Sequence, residues 1–299
     1  MKGIYASRSP LYQTGVLFAL MLTGLAISSF ISVCIVLVIS MTSGKLEVDL
    51  LDHSVGLLQF IQFISAIFMF FLPALFTAWL CSEQPKNLLS IRSYPGFGML
   101  IMIAITTLLL SPTVSLTGYM NAKIQLPASM EAVETWMKSS EDRAYALIQT
   151  MIATKGVLAF IINLIVIAVA AGVTEEFFFR GALLPIIQRK TQNHHLTVWI
   201  IAILFSAIHF QFYGFIPRMI LGAYLGYLLY WTKNIWIPVF AHFFHNAVAL
   251  IGMSDDSLKD HPFFSDDISP ADIRWLSIAA GVGLVLFFGC AWFIRKKVK

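Results

Sequence analysis

The sequence predicts an all-α, polytopic membrane protein of about eight transmembrane helices that gathers its ionisable residues inside the helical bundle. Three observations predict it. The 299 residues are 58% hydrophobic and only 12% charged, more apolar surface than one soluble core can hide. Uncharged apolar runs recur that are long enough, at roughly 20 residues each, to cross about 30 Å of hydrocarbon. Inside a bilayer only helices and closed barrels satisfy their own backbone, and these runs are too long for barrel strands.

Taken in order, the spans fall at about 15–41, 57–80, 97–118, 156–188, 196–213, 216–231, 235–252 and 274–294. The first is longer than the apolar region of a signal peptide and lacks a small-residue cleavage site behind it, so it is expected to be retained. Pro73 and Pro112 lie within the second and third and should kink them, which membrane helices tolerate when neighbours satisfy the freed carbonyls. The segment 120–155 places Met130, Val133, Trp136, Met137, Tyr145, Ile148 and Met151 at the spacing of an amphipathic helix or helix pair lying at the outer interface, a lid or a cover. The chain therefore divides into 1–119 with three spans, 120–155 at the interface, a four-span core at 156–252, and 253–299 with an acidic loop, the last span and a basic tail.

Loop charge supports this layout, because short cytoplasmic loops collect Lys and Arg. With the amino terminus inside, the inner segments carry Lys2, Arg8, Lys86, Arg92, Arg189, Lys190, Lys233, Arg295, Lys296, Lys297 and Lys299. The outer loops carry Glu47, Asp49 and Asp52 against Lys45, then Asp255, Asp256, Asp260, Asp266, Asp267 and Asp272 against Lys259 and Arg274. Lys155 and Arg218 are exceptions, both near outer ends. Both termini are then cytoplasmic, and a bacterial plasma membrane is the expected location. The carboxyl-terminal lysines also fit a dilysine retrieval signal, but an inner-facing basic tail explains them equally well. A net charge of +4 is too diffuse for a nucleic-acid partner. Cys34, Cys81 and Cys290 lie within or beside apolar runs at spacings that suggest neither a disulfide framework nor a metal site.

An ionisable side chain in the middle of a span costs about 2.5–3.5 kcal/mol on insertion scales, so each one asks for a reason. They concentrate in the fourth, fifth and seventh spans: Glu175-Glu176-Phe-Phe-Phe-Arg180, Phe205-Ser-Ala-Ile-His209 and His242-Phe-Phe-His-Asn246. Counting up from Arg189, His195 and Lys233 at about 1.5 Å per residue, Glu175 and His209 lie about 21 Å up their helices, and His242 and Asn246 about 14 and 20 Å. On that reckoning the three helices can aim at one point.

Glu176 and Arg180, four apart, share a helix face and suit a buried ion pair that lowers insertion cost. Glu175 is turned about 100° from Glu176 and faces elsewhere. A carboxylate held at low dielectric suits a general base once a histidine shares its water, and His209 is the candidate partner. A lone intramembrane histidine ordinarily bonds a neighbouring helix; matched depth with two other polar spans favours a shared site. His242 and Asn246 share a face and can both donate to an oxyanion. His245, three from His242, competes with it as the inward residue. Glu175, His209 and His242 would also make a three-ligand zinc set. H-E-x-x-H, Gly-x-Ser-x-Gly, Gly-x-Gly-Asp and a Walker loop are all absent.

The three segments resemble the motifs of the CPBP family of intramembrane proteases, which includes the type II CAAX prenyl endopeptidases and bacteriocin-processing and immunity proteins: E-E-x-x-x-R, F-x-x-x-H and H-x-x-x-N, complete and in that order over about 72 residues. The resemblance covers about 155–252. It implies an endopeptidase in which Glu175 and His209 activate water, His242 and Asn246 stabilise the oxyanion, and Glu176, Arg180 and Phe205 support the site. The implied partners are a peptide or lipidated protein substrate and membrane lipid, with no cofactor required or a single Zn2+. Two rivals remain. A proton-coupled transporter would use the same buried groups but normally shows paired halves with broken helices, and no internal repeat is visible. A non-catalytic immunity scaffold would not need all three motifs.

Overall fold

The computed structural model describes residues 2–43, 54–258, 261–264 and 268–297. Of the loop charges that set the predicted topology, Lys45, Glu47, Asp49, Asp52, Lys259, Asp260, Asp266, Asp267 and Lys299 lie outside them. The described residues are all-helical, without strands. The helices are α1 Pro10–Ser43, α2 Val55–Cys81, the short α3 Pro85–Leu88, α4 Phe97–Ala122, α5 Glu131–Ala153, α6 Val157–Thr191, α7 His194–Ala207, α8 Phe215–Thr232, α9 Trp236–Ser254 and α10 Pro270–Lys297. Among the described residues six (α1, α2, α4, α6, α9 and α10) are long and apolar enough to cross a membrane. The expected total of about eight was approximate. The two that fall short are α7, whose 14 residues reach about 21 Å, and α8, which carries Arg218.

The chain packs as two compact units, residues 1–91 with 149–192, and residues 92–148 with 193–299. In the first unit α1 lies directly on α2. A Cβ at Gly24 would come within 1.8 Å of the Phe68 carbonyl oxygen, so only glycine permits that approach. The amino-terminal segment closes the end of α2, the Gly3 and Tyr5 amides donating to the Trp79 and Leu80 carbonyls at 2.9 and 2.8 Å; these are among the last carbonyls of a helix, which lack partners within it. Buried Gln59 donates to Asn163 Oδ1 at 2.8 Å, and Asn163 Nδ2 to the Met151 carbonyl at 2.9 Å.

Both α2 and α6 contain π-helical turns, at Ile67–Phe71 and Phe177–Leu183, with a further one at Leu164–Ala170. The first and last of the three each precede a proline, Pro73 and Pro185, by two residues. A helical proline has no N–H to give and its ring presses on the carbonyl four residues back, here Met69 and Gly181, both within the widened turns. The expected disturbance at Pro73 is therefore a π turn upstream of it, while α4 runs through Pro112 as continuous helix.

In the second unit α4, α8, α9 and α10 share a core that includes Ile103, Leu110, Leu225, Leu228, Ile237, Ala241, Phe287 and Ile294. Buried Tyr224 of α8 places its hydroxyl 2.7 and 3.2 Å from those of Thr106 and Thr107 on α4. Helices α7 and α8 touch through glycines: a Cβ at Gly222 would stand 3.1 Å from the Phe205 ring and 3.2 Å from Ala202 Cα, and one at Gly226 3.0 Å from Val198. Gly222-Ala-Tyr-Leu-Gly226 is thus a small-residue seam of the kind that lets membrane helices approach closely.

Candidate active site

In the first unit, Glu176 and Arg180 are fully buried and joined by a 2.7 Å bond from Arg180 Nη1 to Glu176 Oε1. The guanidinium also lies 5.9 Å from the centre of the Phe179 ring. Phe178 is fully buried, with its ring edge-on to Phe18 and Phe70, and Phe177 packs on Phe71. The three phenylalanines between the motif's charged residues thereby wedge α6 against α1 and α2. Glu175 is half-buried, one residue before the buried Glu176.

In the second unit the structure corrects one expectation. The fifth span was expected to continue to residue 213 with His209 inside it, but α7 ends at Ala207 and His209 lies in the turn that follows. Phe210 adopts φ +53, a left-handed backbone that a phenylalanine rarely takes, and this reverses the chain. His209 keeps one helical tie, with Nδ1 2.7 Å from the Phe205 carbonyl oxygen. A carbonyl only accepts, so Nδ1 carries the hydrogen, and in the neutral ring Nε2 presents its lone pair.

Fully buried Phe205 stands beside both motif histidines, edge-on to His209 at 5.2 Å and to His242 at 5.8 Å between ring centres. One aromatic ring thereby sets the spacing of the second and third motifs. His242 is buried on α9, with Asn246 half-buried one turn further along the same face; His245 is half-buried as well.

The turn bearing His209 is tied at both ends. Ser206 Oγ donates to the Phe215 carbonyl at 2.7 Å, and buried Asn121 of α4 donates to the Phe212 carbonyl and accepts from the Ile216 amide, each at 2.8 Å. Tyr213 lies in the same turn, where burial first, and then Glu134, Glu141 and Asp142, push its hydroxyl pKa up. Sequence reasoning passed over Asn121, Ser206 and the Gly222/Gly226 pair. Only the glycine spacing was a signal visible in one dimension.

Among the described residues no group of three or more His, Cys, Asp and Glu side chains is placed to hold a metal ion.

Residues 157–248, about three-tenths of the chain, match the family model described as type II CAAX prenyl endopeptidase Rce1-like. All three motifs lie within the match. The similarity is confined to this segment. The chain is also 29% identical over 90 residues to the uncharacterized protein YpbD of Bacillus subtilis (strain 168), an alignment covering 29% of this chain and 43% of that protein. The chain therefore spans less than half the length of that curated relative. No solved structure gives a significant match. The six apolar helices among the described residues indicate an integral membrane protein.

Proposed function

We propose that the chain is an intramembrane endopeptidase that hydrolyses a peptide bond of a membrane-associated peptide or prenylated, CAAX-like protein. The observation that carries this reading is the Rce1-like match spanning all three motifs. Glu175 accepts a proton from the attacking water while His209, through the lone pair of Nε2, orients it. Attack on the scissile carbonyl gives a tetrahedral oxyanion, held by hydrogen bonds donated by His242 and Asn246. Glu175 then returns the proton to the leaving amine as the C–N bond breaks. Glu176 and Arg180 keep the first motif's helix in register. No step is routed through a metal. Under the same reading both termini face the cytoplasm.

The test is cleavage of a quenched-fluorescent peptide library, including prenylated members, by detergent-purified wild type and Glu175→Ala, each with and without a zinc chelator. Cleavage that survives the chelator and vanishes in Glu175→Ala is the expected outcome. Loss on chelation overturns the metal-free route, and a wild type inert on every peptide overturns the protease reading in favour of a non-catalytic role.

A further inference from the structure

The left-handed Phe210 and the histidine before it occupy a turn whose conformation is set from outside α7. A non-glycine residue holds such a backbone only when its surroundings over-determine it. Here the surroundings are α5 and α8. Trp136 of α5 packs edge-on to Phe210 at 6.5 Å and tilted against Phe212 at 5.1 Å between ring centres. Between those two phenylalanines, Gln211 is held at three points. Its carbonyl accepts from Arg218 Nη1 at 3.3 Å, its side-chain Oε1 accepts from Arg218 Nη2 at 2.8 Å, and its Nε2 donates to Glu141 Oε1 at 3.2 Å. The amide has one sensible orientation, since the reverse would set its NH2 against a guanidinium and its oxygen against a carboxylate. At Gly214, three residues on, a Cβ would come within 3.1 Å of Arg218 Nη2, so glycine leaves room for the guanidinium to lie along the turn.

We propose that Gln211 is a positioning residue for His209, clamped between Glu141 and Arg218, and that the interfacial helix α5 thereby acts on the reaction. This rests on the proposed role of His209 as the histidine that orients the attacking water. Gln211 reaches no reacting atom; it holds the turn so that the Phe205 carbonyl keeps Nδ1 and leaves Nε2 aimed. A displacement of the order of 1 Å at such a group can cost about a hundredfold in rate while leaving substrate binding intact.

The experiment uses the full-length chain in detergent, with Gln211→Ala, Glu141→Ala and Glu141→Gln, each monitored by thermal unfolding. The first readout needs no turnover: the rate at which diethyl pyrocarbonate modifies His209, followed by mass spectrometry with His261 as internal reference. Gln211→Ala and Glu141→Ala should change that rate several-fold, whereas Glu141→Gln should match wild type because its Oε1 accepts the same bond. The second readout is turnover on a cleaved peptide, where Gln211→Ala should lower kcat by roughly tenfold to a hundredfold with KM within about twofold. Adding Glu141→Ala to Gln211→Ala should cost little more, since one clamp is removed in both. An inert wild type would sink the protease reading, while the His209 modification rates would still decide the clamp. Unchanged His209 reactivity in folded Gln211→Ala or Glu141→Ala would overturn it. So would Glu141→Gln behaving like Glu141→Ala.

Discussion

At Glu176 and Arg180 both charges are withdrawn completely from solvent, and the energetic consequence is asymmetric. Removing one partner breaks this buried bond, at a cost of about 3–5 kcal/mol, whereas replacing both with apolar residues of similar volume is often neutral. Glu176→Ala is expected to lower the thermal midpoint in detergent sharply, and Glu176→Leu combined with Arg180→Met to recover most of it. Equal destabilisation by the double variant would mean that the pair contributes more than mutual neutralisation. Phe205 is predicted differently, because its ring separates two imidazoles. Phe205→Leu leaves a small cavity and should cost about 1–2 kcal/mol, yet it should lower cleavage well beyond that loss of stability, as measured by kcat alongside unfolding. The pairing of Glu176 with Arg180 was legible from a spacing of four. The bond from His209 to the Phe205 carbonyl was not, because it depends on where α7 stops, and the uncharged run to residue 208 hides the end.

Among the elements, α7 and α8 depend on two glycines. Gly226→Ile would drive a branched side chain into Val198, overpacking worth about 1–3 kcal/mol, and should separate the helices. Gly222→Ala adds only a methyl group, but the methyl meets the Phe205 ring at 3.1 Å. It is expected to change His209 reactivity toward diethyl pyrocarbonate with little change in thermal midpoint, and a silent Gly222→Ala would show that the ring yields without moving its neighbours. Helix boundaries on apolar runs were legible to within a few residues for α2, α8 and α9. They failed at α7, which ends at Ala207 although the uncharged run continues beyond it. The π turns were also hidden, although the prolines behind two of them were in plain view; Pro73 was weighed only as a kink.

For the whole molecule, hydropathy made the all-α membrane class legible because a bilayer leaves the backbone few alternatives. How the spans group was not legible, since apolar faces look alike in sequence: residues 156–192 pack in one compact unit and 193–252 in the other. Helix α4 gives a topological test within its own unit. Its 26 residues reach about 39 Å, so the segment before it and α5 after it should lie on opposite membrane surfaces. Single cysteines at Tyr94 and Ser139, in a chain whose native cysteines are replaced, should react with a membrane-impermeant maleimide from opposite sides of sealed vesicles. Labelling of both from one side would remove α4 as a span.

The π turn at Phe177–Leu183 has a consequence for how this helix tolerates changes of length. A widened turn takes up one extra residue locally, so the helix on either side keeps the facing it would have without it. Deleting one residue among Phe177, Phe178 and Phe179 should therefore let α6 close into regular α-helix, with both flanking stretches still seated on their neighbours. It would also bring Arg180 to three residues from Glu176 and remove one of the wedging rings. The shortened chain would keep its helical facing, less stable by the packing of the lost ring, yet carry a differently aimed first motif. In this helix, the turn able to absorb a deletion coincides with the first motif.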